Sequence, residues 1–272
     1  MRKFFVHFLW ALLALTVIGA AGAFYAISKG WIGYMPPIED LQNPINRFAT
    51  QVISADGKLM GTWNYNKENR VCVDYAQLSP HIVEALVATE DVRFHEHSGF
   101  DFYALGRAVI KRGIFGQMSA GGGSTITQQL AKQLYSVKAH SVTERLMQKP
   151  IEWVIAVKLE RTYTKDEIIA LYLNYFDFLH NAVGIKTASN TYFGKEPRDL
   201  SVNEAATLIG LCKNPSYYNP VRHPERSRER RNVVLMQMQK AGYLTEEQFE
   251  KYSAEPLNLN FHVSDHKDGI AT

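Results

Sequence analysis

Between Ala88 and Gly99 the chain reads Ala88-Thr-Glu90-Asp91-Val-Arg-Phe94-His95-Glu-His97-Ser-Gly99, so carboxylates and imidazoles crowd the end of an apolar segment. A carboxylate held near apolar surface is a candidate general base, here Glu90, while Asp91 and His97 can orient the chain around it. On a continuing helix Glu90 and Phe94 would share a face and Asp91 would fall beside His95. The same residues also suit a capped, solvated helix end, and spacing alone leaves both readings open. His95-x-His97 lacks the further spaced ligands that a metal site needs.

A second group is Gly121-Gly-Gly-Ser124-Thr125-Ile-Thr127-Gln128-Gln129-Leu-Ala-Lys132. Glycines bare their backbone amides, a helix start favours anions, and Gln129 and Lys132, three apart, share a face. That set suits a polar, phosphorylated, sugar-bearing ligand. The Gly-Lys-Ser/Thr order of a nucleotide loop is absent, and a plain glycine turn before a capped helix fits equally. In Lys149-Pro-Ile-Glu152 a helix would present Lys149 and Glu152 on one side, as would a charged solvent face. Glu90 and Glu152 on separate helices fit the paired-carboxylate logic of glycosyl transfer, although sequence separation does not say whether they meet.

The elements that must carry these groups are mostly helical. Ser79 caps a helix with Pro80 in its first turn and Ile82, Val83, Leu86 and Val87 at helical spacing. Further helices are expected over Asp101 to Lys111, from Ser124 or Thr125 to Tyr135, and over Val142 to Glu160 with a bend or restart at Pro150. Thr164 with Glu167 and Ser201 with Glu204 are capping boxes for Lys165 to Asn174 and for a helix through Leu211; Arg226 to Ala241 ends at Gly242. Asp56-Gly57 marks a short hairpin between Ala49 to Ile53 and Leu59 to Trp63, and the alternation of Leu257, Leu259, Phe261 and Val263 predicts a strand in the tail.

Residues Phe4 to Ile27 are 24 positions without a charge, broken only by His7 and Thr16. The run is long enough for a membrane-crossing helix and longer than a usual signal-peptide core, with which it competes. Arg2 and Lys3 before it, against Lys29 after it, favour a cytoplasmic N-terminus. A net charge of +3 is too small and too scattered for a nucleic-acid partner, while it suits an anionic membrane surface. Two cysteines, Cys72 and Cys212, make no disulfide framework and are expected as separate buried thiols. The organisation read from these signals is an anchor over 1–30, a connector with a hairpin over 31–78, a helical catalytic domain over 79–245, and a linker with the start of a following domain over 246–272. The ending Gly269-Ile270-Ala271-Thr272 looks like a cut through a longer polypeptide.

Taken in order, several blocks resemble the peptidoglycan glycosyltransferases of family 51, the polymerising domain of class A penicillin-binding proteins and of monofunctional transglycosylases. They are Glu90-Asp91-x-x-Phe94-x-x-His97-x-Gly99, Gly122-Gly-Ser124-Thr-Ile-Thr-Gln-Gln129-Leu-x-Lys132, Lys149-x-x-Glu152, Tyr172-Leu-Asn174 with Gly184 and Tyr192-Phe-Gly194-Lys195, and Glu204-Ala-Ala followed by Asn214-Pro215, Asn219-Pro220 and Arg231. The resemblance covers roughly Ser79 to Gly242. It implies a mainly α fold with a lysozyme-like head, a small membrane-proximal lobe and one N-terminal transmembrane helix, placed outside the cytoplasmic membrane.

It also implies polymerisation of lipid II onto a growing glycan strand with inversion and loss of undecaprenyl pyrophosphate. Glu90 would be the base and Glu152 the donor-side carboxylate, with Asp91, Phe94, His97, Ser124, Thr125, Gln129, Lys132, Lys149 and Asn174 binding substrate. Mg2+ or another divalent cation is compatible, with no residue set fixing one. Implied partners are membrane lipids and other cell-wall synthesis proteins, and apolar residues in Ile114 to Met118 are expected to meet the bilayer. The chain departs from the family pattern at Gln148, with Arg145 a candidate substitute, at Gln133, and at Leu179-His180-Asn181 in place of a glycine-rich tripeptide. Ser264-x-x-Lys267 and Ser201-Val-Asn203 stand in the wrong order for a transpeptidase, and no Lys-Thr-Gly occurs. A glycan hydrolase and an inactive membrane scaffold are the competing expectations.

Overall fold

The computed structural model describes residues 2–42, 50–53, 59–63, 71–109, 123–135 and 142–262. The apolar N-terminal run is helix α1 (Arg2–Ser28), whose 27 residues at about 1.5 Å each span roughly 40 Å. Among the described residues it is the one helix long and apolar enough to cross a membrane. It stops because Gly30 adopts a left-handed conformation, φ 75°, letting the Gly30 and Trp31 amides donate to the carbonyls of Ile27 and Ala26. Its last turns dock on the body: Phe24 stacks on Trp153 at 6.2 Å between ring centres, Trp153 meets Phe100 at 4.8 Å, and Ile27 is buried. Lys158 Nζ donates to the Ser28 carbonyl at 3.2 Å, a cation at the negative end of a helix. Burial, and then Lys29, pull the Lys158 ammonium below the ordinary lysine range.

After the short helix α2 (Ile38–Gln42), strands β1 (Thr50–Ile53) and β2 (Leu59–Trp63) form the expected antiparallel hairpin, with Thr50 opposite Trp63 and an irregularity at Val52/Ile53. The helical body begins at α3 (Pro80–Glu90), where the Ser79 hydroxyl accepts from the His81 amide and donates to the Leu200 carbonyl. Helices α4 (Phe102–Val109), α5 (Ile126–Tyr135), α6 (Val142–Thr162) and α7 (Lys165–Tyr175) come next. The capping boxes at Thr164 and Ser201 open α7 and α9 (Val202–Leu211) as their spacing indicates, each cap being worth about 1 kcal/mol. α5 packs on α6 and α7, and the fully buried α9 packs on α3 and α10 (Pro224–Lys240), which ends in a left-handed Gly242.

Several elements differ from the sequence pattern. Pro150 neither ends nor restarts α6; it removes one amide donor, while Ile155, Ala156 and Leu159 bury the later turns and hold the helix together. Helices α8 (Ile185–Phe193) and α11 (Glu246–Ala254) form where no helix is expected, and α11 packs on α10, carrying the helical body past residue 245. The tail forms no strand over 256–262. The amides of Asn260 and His262 donate to the carbonyls of Tyr192 and Thr191, at a helix end that offers a few free carbonyls but no ladder. Cys72 and Cys212 form no disulfide with each other, and each residue is partly buried. Residues 114–118 lie outside the described set; Trp31, Tyr34, Phe102 and Tyr103 are exposed aromatics among the described residues.

Leu179, His180 and Asn181 all take positive φ, of 67°, 53° and 61°. A left-handed conformation costs a non-glycine residue roughly 1–2 kcal/mol. The turn is held from both ends, since Asp177 accepts from the Leu179 amide and the His180 ring sits edge-on against Tyr192 and Phe261.

Two buried charges fix the C-terminal half. Arg231 is fully buried and donates to the carbonyls of Ser253, Glu255 and Pro256, tying α11 to α10. Arg231→Met would strand these acceptors and should lower stability by at least about 3 kcal/mol. A melting temperature equal to that of the wild type would contradict this. Burial alone would raise the Glu204 carboxyl, but hydrogen bonds from Lys195 and from Ser201 outweigh it, and its pKa lies below the usual 4.5. Its folded value being depressed, the contribution is complete above 4.5 and is lost as pH falls through the lower folded value. Lys195→Met should therefore lower the melting temperature at neutral pH, with the gap narrowing on acidification; a gap independent of pH would refute the assignment.

Candidate active site

Glu90 is the last residue of α3, half-buried, and the next residues in the chain set its position. Asp91 leaves the helix with φ −159° and turns its carboxylate inward, accepting from the Ile126 amide at 3.1 Å and from His97 Nε2 at 3.0 Å. The helix therefore does not continue, Glu90 and Phe94 share no helical face, and Asp91 pairs with His97 rather than His95. Phe94 turns into the core in a short 3-10 turn, and His95 is exposed. Lys165 closes the loop by donating to the His97 carbonyl at 2.6 Å while lying 4.2 Å over the Phe94 ring. Gly99 has φ 86°, and a side chain there would meet the Ala156 carbonyl at 2.9 Å. Its own carbonyl accepts from Thr125 Oγ1 and Gln128 Nε2.

The result is that the first turn of α5 is locked to the loop after Glu90. From that turn Gln129 Nε2 reaches Glu90 Oε2 at 2.8 Å, and Gln129 Oε1 accepts from the buried Tyr172 hydroxyl at 3.1 Å. Just ahead of the same turn, Lys149 Nζ donates to Ser124 at 3.1 Å and to Glu152 at 2.7 Å. Glu152 is nearly buried while the Lys149 side chain is 50% exposed, so the ammonium is the accessible member of the pair. Lys132 is exposed further along α5.

Asp91, His97 and Asp101 have ligand-type atoms within 4.8 Å of one another. Those oxygens already serve the Ile126 and Ala104 amides, His97 and Arg93, which makes the cluster an internal brace. Mg2+ commonly takes one or two carboxylates together with substrate phosphates; Glu152, the carboxylate on the Lys149 side, has its Oε2 held by Lys149 at 2.7 Å.

Of the residues expected to contact substrate, Gln129 touches Glu90, Lys149 touches Ser124 and Glu152, and Lys132 is exposed on α5. The side chains of Asp91, Phe94, His97, Thr125 and Asn174, expected to contact it as well, are buried inside the protein. Asn174 is the plainest case: its amide both accepts from the Val73 amide and donates to the Val73 carbonyl. Gln148 is described and engaged, while the Arg145 side chain and Gly121 and Gly122 lie outside the described residues. Sequence reasoning passed over Tyr172 as a site residue although it opens the Tyr172-Leu-Asn174 block. It also missed buried Glu160, which accepts from Thr127 and Lys165 and ties α6 to α5 and α7.

A family model described as Transglycosylase matches residues 56–239. The chain is 37% identical to penicillin-binding protein 1A of Escherichia coli (strain K12) over 261 residues, which is 96% of this chain and 30% of that protein. It is 40% identical to penicillin-binding protein 1A of Aquifex aeolicus (strain VF5), over 89% of this chain and 34% of the relative. To penicillin-binding protein 1F of Bacillus subtilis (strain 168) it is 42% identical, over 72% and 26% respectively. The chain thus spans about a third of the length of these curated relatives. A crystal structure of penicillin-binding protein 1A from Haemophilus influenzae aligns with a TM-score of 0.43 at 24% identity, over 79% of this chain and 22% of that one. The matched span takes in α3, α5 and α6 with both glutamates, and the chain belongs to the transglycosylase family.

Proposed function

We propose that the chain is a peptidoglycan glycosyltransferase that polymerises lipid II, with Glu90 as general base. The observation that carries this reading is that Glu90 contacts Gln129 in the first turn of α5 while the Glu152-paired Lys149 contacts Ser124 just ahead of it. In the reaction, the 4-hydroxyl oxygen of the incoming lipid II attacks the anomeric carbon of the growing strand, and the bond from that carbon to the pyrophosphate oxygen breaks with inversion. The hydroxyl proton passes to Glu90. A half-buried carboxylate at a helix end can reach such a proton directly or through one water.

Lys149 and the adjacent Ser124 offer donors to the pyrophosphate as its charge develops, and Glu152 holds the Lys149 ammonium in place. A divalent cation carried with the pyrophosphate would add positive charge there. Asp91 and His97 fix the loop and α5, and so keep the base and the phosphate-side groups at a constant separation. Both substrates carry long lipid tails, so α1 as a single-pass anchor, with the body outside the cytoplasmic membrane, keeps the site at the surface where they lie.

The test is polymer formation from lipid II by the purified chain in detergent. Glu90→Gln keeps the shape of the side chain but cannot take a proton, and should lower the rate by about 100-fold or more. Full activity of that variant would remove Glu90 from the mechanism, and release of soluble fragments from preformed glycan would replace polymerisation by hydrolysis. Lys149→Met should cost less, roughly tenfold in kcat/KM, since water already screens its exposed charge. An unaltered kcat/KM would show that the leaving pyrophosphate is held elsewhere.

A further inference from the structure

Behind Glu90 runs a chain of side-chain hydrogen bonds. Gln129 joins Glu90 to the Tyr172 hydroxyl, and Cys212 is a neighbour of that hydroxyl. The Cys212 sulfur is in turn 3.7 Å from the Leu208 carbonyl. Burial, reinforced by the neighbouring Cys212 and Glu90, pushes the Tyr172 phenol well above the ordinary tyrosine range, so it stays a neutral hydroxyl with one hydrogen to give. Burial, and then Glu90, push the Cys212 thiol up as well, so it keeps its S–H.

That single hydrogen gives the chain a direction. An ionised Glu90 only accepts, so Gln129 turns its N–H toward Glu90 and its carbonyl toward Tyr172, as observed. A protonated Glu90 keeps a carbonyl oxygen that accepts from the same N–H, so the amide held by Tyr172 serves the base before and after it takes its proton. No proton travels along the chain; the only one transferred is the one Glu90 takes.

We propose that Tyr172, acting through Gln129, is a positioning residue that keeps Glu90 aimed in both of its protonation states. The inference rests on the polymerase reading of Glu90. Tyr172→Phe keeps the buried ring and removes the hydroxyl. It should lower kcat roughly tenfold, a part of the 10²–10⁴ that a positioned base supplies, with KM for lipid II within about twofold. The acidic limb of the rate profile should move to higher pH, because the ionised base loses an oriented donor.

Cys212→Ser and Cys212→Ala, which leave the Glu90–Gln129–Tyr172 bonds in place, should both stay within about twofold of the wild type. An unchanged kcat and limb in Tyr172→Phe would overturn the proposal. So would a loss of kcat with an unmoved limb and a lowered melting temperature, which is the signature of packing alone. A wild type that forms no polymer would instead overturn the polymerase reading itself.

Discussion

The Ile126 amide donates to Asp91, and that one bond decides where α5 begins in space. A carboxylate at a helix start satisfies an amide that has no partner within the helix and meets the positive end of its dipole. Because Asp91 directly succeeds Glu90 in the chain, the bond also sets the distance from the end of α3 to the start of α5. His97 on the other Asp91 contact, and Thr125 and Gln128 on the Gly99 carbonyl, then close the loop without slack. Glu90, Ser124 and Gln129 inherit their geometry from this joint.

Much of the motif block therefore serves placement. Asp91, Phe94, His97, Thr125 and Asn174 recur in a pattern that looks chemical when written as a line of letters, yet each spends its polar or aromatic surface inside the protein. A general base must be held still relative to the group it deprotonates, and a loop of mixed residue types is fixed only when its buried polar atoms are paired. Invested in this way, a small number of interior contacts leaves Glu90, Ser124, Gln129 and Lys149 gathered about the start of α5.

The parts legible in the sequence were those written in local rules. Ser79, Thr164 and Ser201 cap their helices through contacts only a few residues away, and Gly242 ends α10 because its conformation is a property of that residue. What escaped was decided at long range. α8, with Thr187, Ser189, Asn190 and Thr191, has poor intrinsic helicity and forms because Ile185, Ala188, Tyr192 and Phe193 are buried. α11 did carry a local signal, the box of Thr245 and Gln248, but its place depends on Arg231 from another helix. The tail alternates as a strand does, yet finds only two carbonyls at the end of α8. Asn174 shows the limit for the site: residue type announces a polar partner without saying whether it is a ligand or the backbone of Val73.

The seat of α1 on α6 has a mechanical meaning. Trp153, gripped by Phe24 and Phe100, is the chain neighbour of Glu152. With α1 in a bilayer, the body is mounted on its anchor through a joint rather than hung from a tether. Tilting or turning the anchor swings α6 as a lever, and the height of Glu152 over the lipid surface moves with it. Bilayer thickness, one of the influences on the tilt of a long apolar helix, is thereby coupled to the position of α6.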